Sequence, residues 1–400
     1  MSERTDGLPL AGIRVIEFVH MVMGPTCGLV LADLGAEVIK VEPVPDGDNT
    51  RRLSGMGAGF WPAFNRNKKS LAVDMKSAEG AEIVRRLVAT ADVVTENFRP
   101  GALDALGFGY EALRALKPDI IYVSMKGFLS GPYEDRTALD EVVQMMGGLA
   151  YMTGLPGRPM RAGSSVNDIM GGMFGAIGAI AALHERHSTG RGRLVRSGLF
   201  ENCAFLVSQH MMQLAVTGQA PQPMSMRSPA WGVYDIFEAA GGQQLFIAVV
   251  TDTQWRDFCQ VFELDELATD LRLATNAQRV IARDRVLPAI QQCVGTMLVA
   301  ELVGRCRQCG VSYGPINRPE DLFDDPHLRA PGGMAQITLA DGSTTTVPAL
   351  PIEFDGVRPH TRLDLPALGE HTNELLQELG YPKWRIDALC DSGQVRAADA

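Results

Sequence analysis

Asp168 is the residue whose type and neighbours are best suited to chemistry. It stands in Ala162-Gly163-Ser164-Ser165-Val166-Asn167-Asp168-Ile169-Met170-Gly171-Gly172, where a strand-like segment gives way to a glycine-rich helix. A carboxylate in the first turn of a helix faces unpaired backbone N–H groups and the positive end of the dipole, which favour its ionised form. Such a group is a ready nucleophile, and equally an ordinary cap. Rival constellations are missing. No Gly-x-Ser-x-Gly elbow occurs, and His20 is the only histidine before His184, so no serine or cysteine has an evident base. The first βα turn, Val19-His20-Met21-Val22-Met23-Gly24-Pro25, lacks the glycine fingerprint of nicotinamide and flavin binders, and no phosphate loop ending in Gly-Lys-Ser/Thr is present. Cys306 and Cys309 form a Cys-x-x-Cys without a second pair or nearby histidines, so no metal site is expected. Gly171, Gly172, Gly175 and Gly178 read as a helix face for close packing.

The elements that must position these residues alternate. Strands are expected at 12–18, 37–42, 70–74, 92–95, 120–125 and 194–197, with helices at 26–34, 77–90 and 167–186 between them. Alternation of this kind implies an α/β fold with an open, mostly parallel sheet, whose strand C-termini are the expected place for chemistry. After residue 218 the pattern changes. A Pro/Met/Gln/Ser-rich linker leads to a β-hairpin over 231–250, turning at Gly241-Gly242. Helices are expected at 253–262, 277–294 and 297–308, strands at 336–339 and 344–348, and a helix at 373–379 before a polar tail. The division expected is 1–224 as a large Rossmann-like domain, 225–325 as a small α+β domain, and 326–400 as a return to the large domain.

The chain has 400 residues, 37 Lys+Arg and 47 Asp+Glu, for a net charge of −10. That balance disfavours a nucleic-acid partner, which calls for a basic patch. The apolar, uncharged stretch 169–183 holds four glycines and falls short of a membrane span, and residues 1–8 lack an apolar signal core. Seven scattered cysteines fit free thiols and a reducing, cytoplasmic compartment.

Several segments, in order, resemble the class III coenzyme A transferases, the CaiB/BaiF or formyl-CoA transferase family. They are Leu10-Ala11-Gly12-Ile13-Arg14-Val15-Ile16-Glu17-Phe18, Gly24-Pro25-Thr26-Cys27, and Leu34-Gly35-Ala36-Glu37-Val38-Ile39-Lys40-Val41-Glu42-Pro43. Asn67-Lys68-Lys69-Ser70-Leu71-Ala72-Val73-Asp74-Met75-Lys76, Glu96-Asn97-Phe98-Arg99-Pro100-Gly101-Ala102-Leu103 and Thr189-Gly190-Arg191-Gly192 continue the match. Beyond residue 225 it thins to Tyr313-Gly314-Pro315-Ile316 and Asp325-Pro326-His327.

The resemblance implies a CoA-transferase with Asp168 as nucleophile, passing through an aspartyl mixed anhydride and an aspartyl-CoA thioester. It implies coenzyme A contacts at His20, Met21, Lys40, Leu71, Lys76, Asn97, Phe98 and Arg99, with Lys68 and Lys69 as further phosphate cations. Relatives place a basic residue where Ala105 stands here. Arg51, Arg52, Arg136, Arg161 and Arg227 are candidates for a second carboxylate, guanidinium being suited to bidentate pairing. Trp231, in Met226-Arg227-Ser228-Pro229-Ala230-Trp231-Gly232, lies where the formyl-CoA branch of the family has a glycine loop that covers the aspartate, though the four-glycine run itself is absent here. The implied donor is succinyl-CoA and the acceptor a small dicarboxylate or a sulfur analogue. Formyl, oxalate and carnitine substrates are the alternatives, with 2-methylacyl-CoA racemisation behind them because the racemase histidine string is absent. CoA is a substrate and no tightly bound cofactor is expected. The implied assembly is a homodimer with interlaced chains.

Overall fold

Residue alternation along the strands decides what each face of the sheet buries. The computed structural model describes residues 7–226 and 229–398. In chain order the elements begin with β1 (Arg14–Phe18), α1 (Met23–Asp33), β2 (Glu37–Glu42), α2 (Phe60–Phe64), β3 (Lys68–Val73), α3 (Ala78–Ala89), β4 (Val93–Glu96), α4 (Tyr110–Leu116) and β5 (Ile121–Lys126). Next come α5 (Asp140–Met146), α6 (Leu149–Thr153), α7 (Val166–Thr189), β6 (Leu194–Gly198) and α8 (Leu199–Thr217). β7 (Val233–Glu238), β8 (Gln244–Val249), α9 (Asp252–Val261), α10 (Asp265–Ala268), α11 (Asn276–Ile281), α12 (Arg283–Val294), α13 (Val299–Gln308) and β9 (Ser312–Pro315) follow. The chain ends with β10 (Met334–Thr338), β11 (Thr344–Pro348), α14 (Thr372–Glu378), α15 (Lys383–Asp391) and β12 (Val395–Arg396).

The expected α/β sheet is present, in the order β12-β3-β2-β1-β4-β5-β6. All neighbours from β3 to β6 run parallel, and β12 closes the edge antiparallel, with Val395 opposite Val73. Successive side chains of a strand point to opposite faces. Ile16, Ile39 and Leu71 therefore join one core with Ile83 and Leu87 of α3 and with Leu375, Ile386 and Leu389 of the C-terminal helices. Val15, Val38 and Val93 join the other, with Leu31 of α1 and Ala176, Ala179 and Leu183 of α7. Burial on both faces explains why adjacent positions are both apolar, as at Val15-Ile16, Val38-Ile39 and Val93-Val94.

α7 is long and apolar enough to cross a membrane by length and composition. Here it packs against α1, β5 and β6 instead. Its glycines make that packing possible. A Cβ on Gly172 would lie 2.5 Å from the Met23 carbonyl oxygen and 3.0 Å from the Cys27 nitrogen, and one on Gly178 would lie 2.4 Å from Val195.

Three expectations are corrected. No strand precedes α7: the segment before it holds only an isolated bridge between Leu155 and Arg158. The helix expected over 277–294 is two, parted at Ala282. The break lets Arg279 reach the carbonyl of Leu273 and Arg283 those of Trp231 and Gly232. The polar tail is not loose chain, because Ile386, Leu389 and Val395 bury themselves against the sheet.

Contacts divide the chain into two units, residues 226–325 forming the smaller and the rest the larger. In the smaller unit β7, β8 and β9 make an antiparallel sheet. Its core joins Val233, Leu245 and Ile247 to Trp255, Phe258, Val286, Ile290 and Leu302. Gly241 and Gly242 both take positive φ at the β7–β8 turn, a conformation that glycine adopts without Cβ strain.

Candidate active site

In a parallel sheet, the strand C-termini end in loops that diverge and leave a crevice. In the larger unit such a crevice has a volume of about 370 Å³. His20 and Met21 reach it from the loop after β1, Asn97, Phe98 and Arg99 from the loop after β4, and Lys126 from the end of β5. Asp140 and Glu141 open α5 at its rim, and Arg136, Arg161 and Asp168 complete it. Of the residues singled out in the sequence, His20, Met21, Asn97, Phe98, Arg99, Arg136, Arg161 and Asp168 come together here.

The loop after β1 is held at four backbone groups, from Val19 to Met21. Asn97 accepts from the His20 nitrogen at 3.0 Å and donates to its carbonyl at 2.9 Å. Lys40 Nζ donates to the Val19 carbonyl at 2.6 Å. Met21 has φ of 62°, the left-handed region that costs a non-glycine residue energy, and its nitrogen donates to Thr50 Oγ1 at 2.9 Å. Thr50 Oγ1 in turn donates to Asp48 Oδ1 at 2.7 Å. The His20 ring lies 5.1 Å from that of Phe98. Burial pushes His20 toward its neutral form, Lys40 adds to that push, and Asp48 opposes it.

Several expected ligand contacts are corrected. Lys40 is fully buried and paired with Asp48 at 2.9 Å, so its ammonium supports the loop and is closed to a phosphate. Leu71 is fully buried in the sheet core, which leaves its side chain unavailable to a ligand. Lys68 is buried against Glu17 at 2.9 Å, and Lys69 pairs with Glu37 and Glu374. Lys69 lines a second, larger cavity of about 960 Å³ at the opposite end of the strands, with Arg14 and Asp92. Arg51 is not open to a substrate carboxylate. It grips Glu42 with two nitrogens, at 2.7 and 2.6 Å, and stacks 3.6 Å over Trp61. Glu42 is buried at the end of β2 and needs that counter-charge.

Lys76 is exposed after β3, outside the crevice lining. Arg136 lies 4.9 Å over the Tyr133 ring and is exposed at the crevice. Trp231 belongs to the smaller unit, where it stacks on Tyr234 at 5.0 Å. Arg227 lies outside the described residues.

The electrostatics of Asp168 differ from the sequence expectation. Ser165, at the start of α7, makes no side-chain cap. The free N–H groups of Asn167 and Asp168 are taken instead by Asp140 Oδ1, at 2.8 and 3.2 Å. The helix start is therefore already occupied by an anion from α5. Burial, then the Asp140 charge, push the Asp168 carboxyl up to about 7, while Arg161 opposes them. This is a carboxylate of raised basicity, better suited to attack a carbonyl than an ordinary one.

Lys126 escaped the sequence reading. It donates to Glu96 at 2.6 Å and also reaches the Phe98 carbonyl. Its position at a strand C-terminus was the signal that could have found it. Asp140 stands where the family resemblance places Tyr or Asp before a Glu, without a role attached to it. Its capping of α7 left no local signal, because a cap supplied by another helix leaves no spacing to read.

A family model described as CoA-transferase family III matches residues 10–372. The chain is 36% identical to a succinate–glutarate CoA-transferase of Agrobacterium fabrum, over 93% of this chain and 96% of that protein. It is 34% identical to a succinyl-CoA–D-citramalate CoA-transferase of Chloroflexus aurantiacus, over 95% and 96%. Among solved structures, a CaiB/BaiF family protein from Brucella suis superposes with a TM-score of 0.82 at 34% identity, covering 93% of this chain and 99% of that one.

Proposed function

The chain belongs to CoA-transferase family III and is a class III CoA-transferase, and we propose that it carries CoA from succinyl-CoA to a small dicarboxylate or a sulfur analogue through Asp168. The donor and acceptor classes are those named for its relatives.

In this reading the Asp168 carboxylate attacks the donor thioester carbonyl. CoA thiolate leaves and a mixed anhydride forms. The thiolate then attacks the aspartyl carbonyl, releasing succinate and leaving an aspartyl-CoA thioester. The acceptor carboxylate attacks that thioester, and CoA thiolate leaves again. Thiolate attack on the acceptor's carbonyl then gives the new acyl-CoA and restores the Asp168 carboxylate. Two carboxylates and one thioester enter and leave the cycle, so the overall exchange is nearly balanced in energy.

The observation that carries the reading is the place of Asp168, a raised-basicity carboxylate opening into the crevice that His20, Asn97 and Phe98 also line. The larger unit, 7–225 with 326–398, would hold CoA. Phe98 would cover its adenine, His20, Met21 and Asn97 its pantetheine arm, and Arg99 its phosphates. Arg136 would meet the second carboxylate of the acid. We further propose a homodimer of interlaced chains, working in the cytoplasm. Supporting this are the exposed apolar residues of α8, among them Phe205, Met211, Met212 and Val216, and cysteines that are free throughout the described residues.

The test mixes pure protein, wild type and Asp168→Asn, with succinyl-CoA and a panel of free acids, and reads new CoA esters by mass spectrometry. A new ester from wild type alone supports the reading and names the acceptor. Equal turnover by the variant removes Asp168 from it.

A further inference from the structure

We propose that Asp140 is a positioning residue for the transfer reaction: it caps the helix that bears Asp168 and sets a second negative charge against that carboxylate, tilting the enzyme toward its acylated form. The inference rests on the reading of Asp168 as nucleophile.

The geometry has two parts. Asp140 is buried, with 6% of its surface exposed, and its Oδ1 accepts from the nitrogens of Asn167 at 2.8 Å and Asp168 at 3.2 Å. Both belong to the first turn of α7, whose N–H groups have no partner within the helix. The far oxygen, Oδ2, is held by the Gln144 amide and lies 3.6 Å from Arg161. Gln144 also accepts from the Ala162 nitrogen at 2.8 Å, tying α5 to the segment that leads into α7. Arg161 divides itself between Asp140 and Glu141. The backbone that carries Asp168 is thus built around the Asp140 carboxylate.

The second part is charge. The ionisable groups facing Asp168 are Asp140 from α5 and Arg161 from the preceding segment, acting in opposite senses. His20, Arg99, Lys126, Arg136 and Glu141 line the same crevice, and Lys126 is neutralised by Glu96. An anhydride or a thioester on Asp168 carries no charge. Acylation therefore removes the repulsion with Asp140, and deacylation restores it. An anion fixed at this spot raises the free carboxylate relative to both covalent intermediates, which helps attack on the donor and lets the acyl-enzyme accumulate.

Asp140→Asn separates the two parts, because an amide oxygen still accepts from both backbone nitrogens while the charge is gone. The experiment incubates wild type and variant with succinyl-CoA and no acceptor. It measures the fraction of protein carrying a CoA adduct on Asp168 by intact-mass and peptide mapping; a second series, with an acceptor dicarboxylate present, follows kcat/KM from pH 5 to 9. The expected result is an adduct fraction at least about threefold lower and an acid limb moved down by about one pH unit, as loss of a neighbouring like charge requires. Arg161→Gln is the companion variant and should move the limb up.

Unchanged adduct level and pH profile in a folded Asp140→Asn protein would overturn the inference. If that variant does not fold, an unmoved limb in Arg161→Gln overturns it in the same way. Absence of an Asp168 adduct in wild type overturns the nucleophile reading itself, a separate failure.

Discussion

Asn97 holds both ends of the His20 backbone, its oxygen 3.0 Å from the His20 nitrogen and its amide nitrogen 2.9 Å from the His20 carbonyl. One side chain thereby joins the loop after β4 to the loop after β1, on two neighbouring parallel strands. Preorganisation of this kind lowers the cost of ordering a binding loop. Asn97→Leu removes both bonds and leaves two backbone groups half-buried. The expected outcome is a KM for acyl-CoA raised about thirtyfold, each of the two bonds being worth roughly 1 kcal/mol, with kcat changed much less. Steady-state kinetics on acyl-CoA checks it, and an equal fall in kcat with constant KM would count against the loop's role in binding.

Lys40 offers a contrast between support and ligand binding. Its ammonium is fully enclosed by the Val19 carbonyl and Asp48, with Glu17 at 3.9 Å. Lys40→Met leaves Asp48 buried without its partner. Removing one member of a buried pair costs about 3–5 kcal/mol, so thermal and urea midpoints should fall sharply. A CoA-phosphate ligand would behave otherwise, with affinity lost and stability kept.

The pH dependence follows from Asp168, which is pushed up to about 7 by burial and Asp140, from an ordinary 3.8. The attacking form is the carboxylate, so kcat/KM should fall about tenfold per unit below pH 7 and level off above it. Stability runs the other way. Between the unfolded and folded values the native state holds more protons, so the group destabilises the fold as pH rises through 7. Asp168→Asn should therefore be more stable than wild type at pH 8, by about 1–3 kcal/mol for a part-exposed group, with the difference vanishing below pH 4. Denaturation curves at the two pH values decide it.

Gly172 reports on the helix contact that carries the site. An added Cβ meets backbone, the Met23 carbonyl oxygen at 2.5 Å and the Cys27 nitrogen at 3.0 Å, so no side chain can move aside. Gly172→Ala should cost about 1–3 kcal/mol by overpacking and should also weaken activity, because α1 and α7 border the crevice at Met23 and Asp168. Gly59→Ala, with nothing within 4 Å of its Cβ, is the control expected to leave both unchanged.

Much of this protein could be read from the chain because the relevant physics is local. Apolar runs bounded by glycine and proline gave the strands from Arg14 to Gly198, and sustained βα alternation gave the parallel sheet. Family motifs in order gave the transferase class, and Asp168 beside a glycine-rich helix gave a candidate nucleophile. Residue type alone also marked Lys40, Lys68, Lys69 and Arg51 as cations. Only the folded chain decided that each has an acidic partner, Asp48, Glu17, Glu37 or Glu42, drawn from another element or a neighbouring turn. The same holds for Asp140, which stands 28 positions before Asp168 yet fills the start of its helix. Period and propensity act between residues a turn apart, whereas burial and charge pairing act through space. The elements were therefore legible in the sequence, and the protonation and accessibility of their side chains were set by tertiary packing.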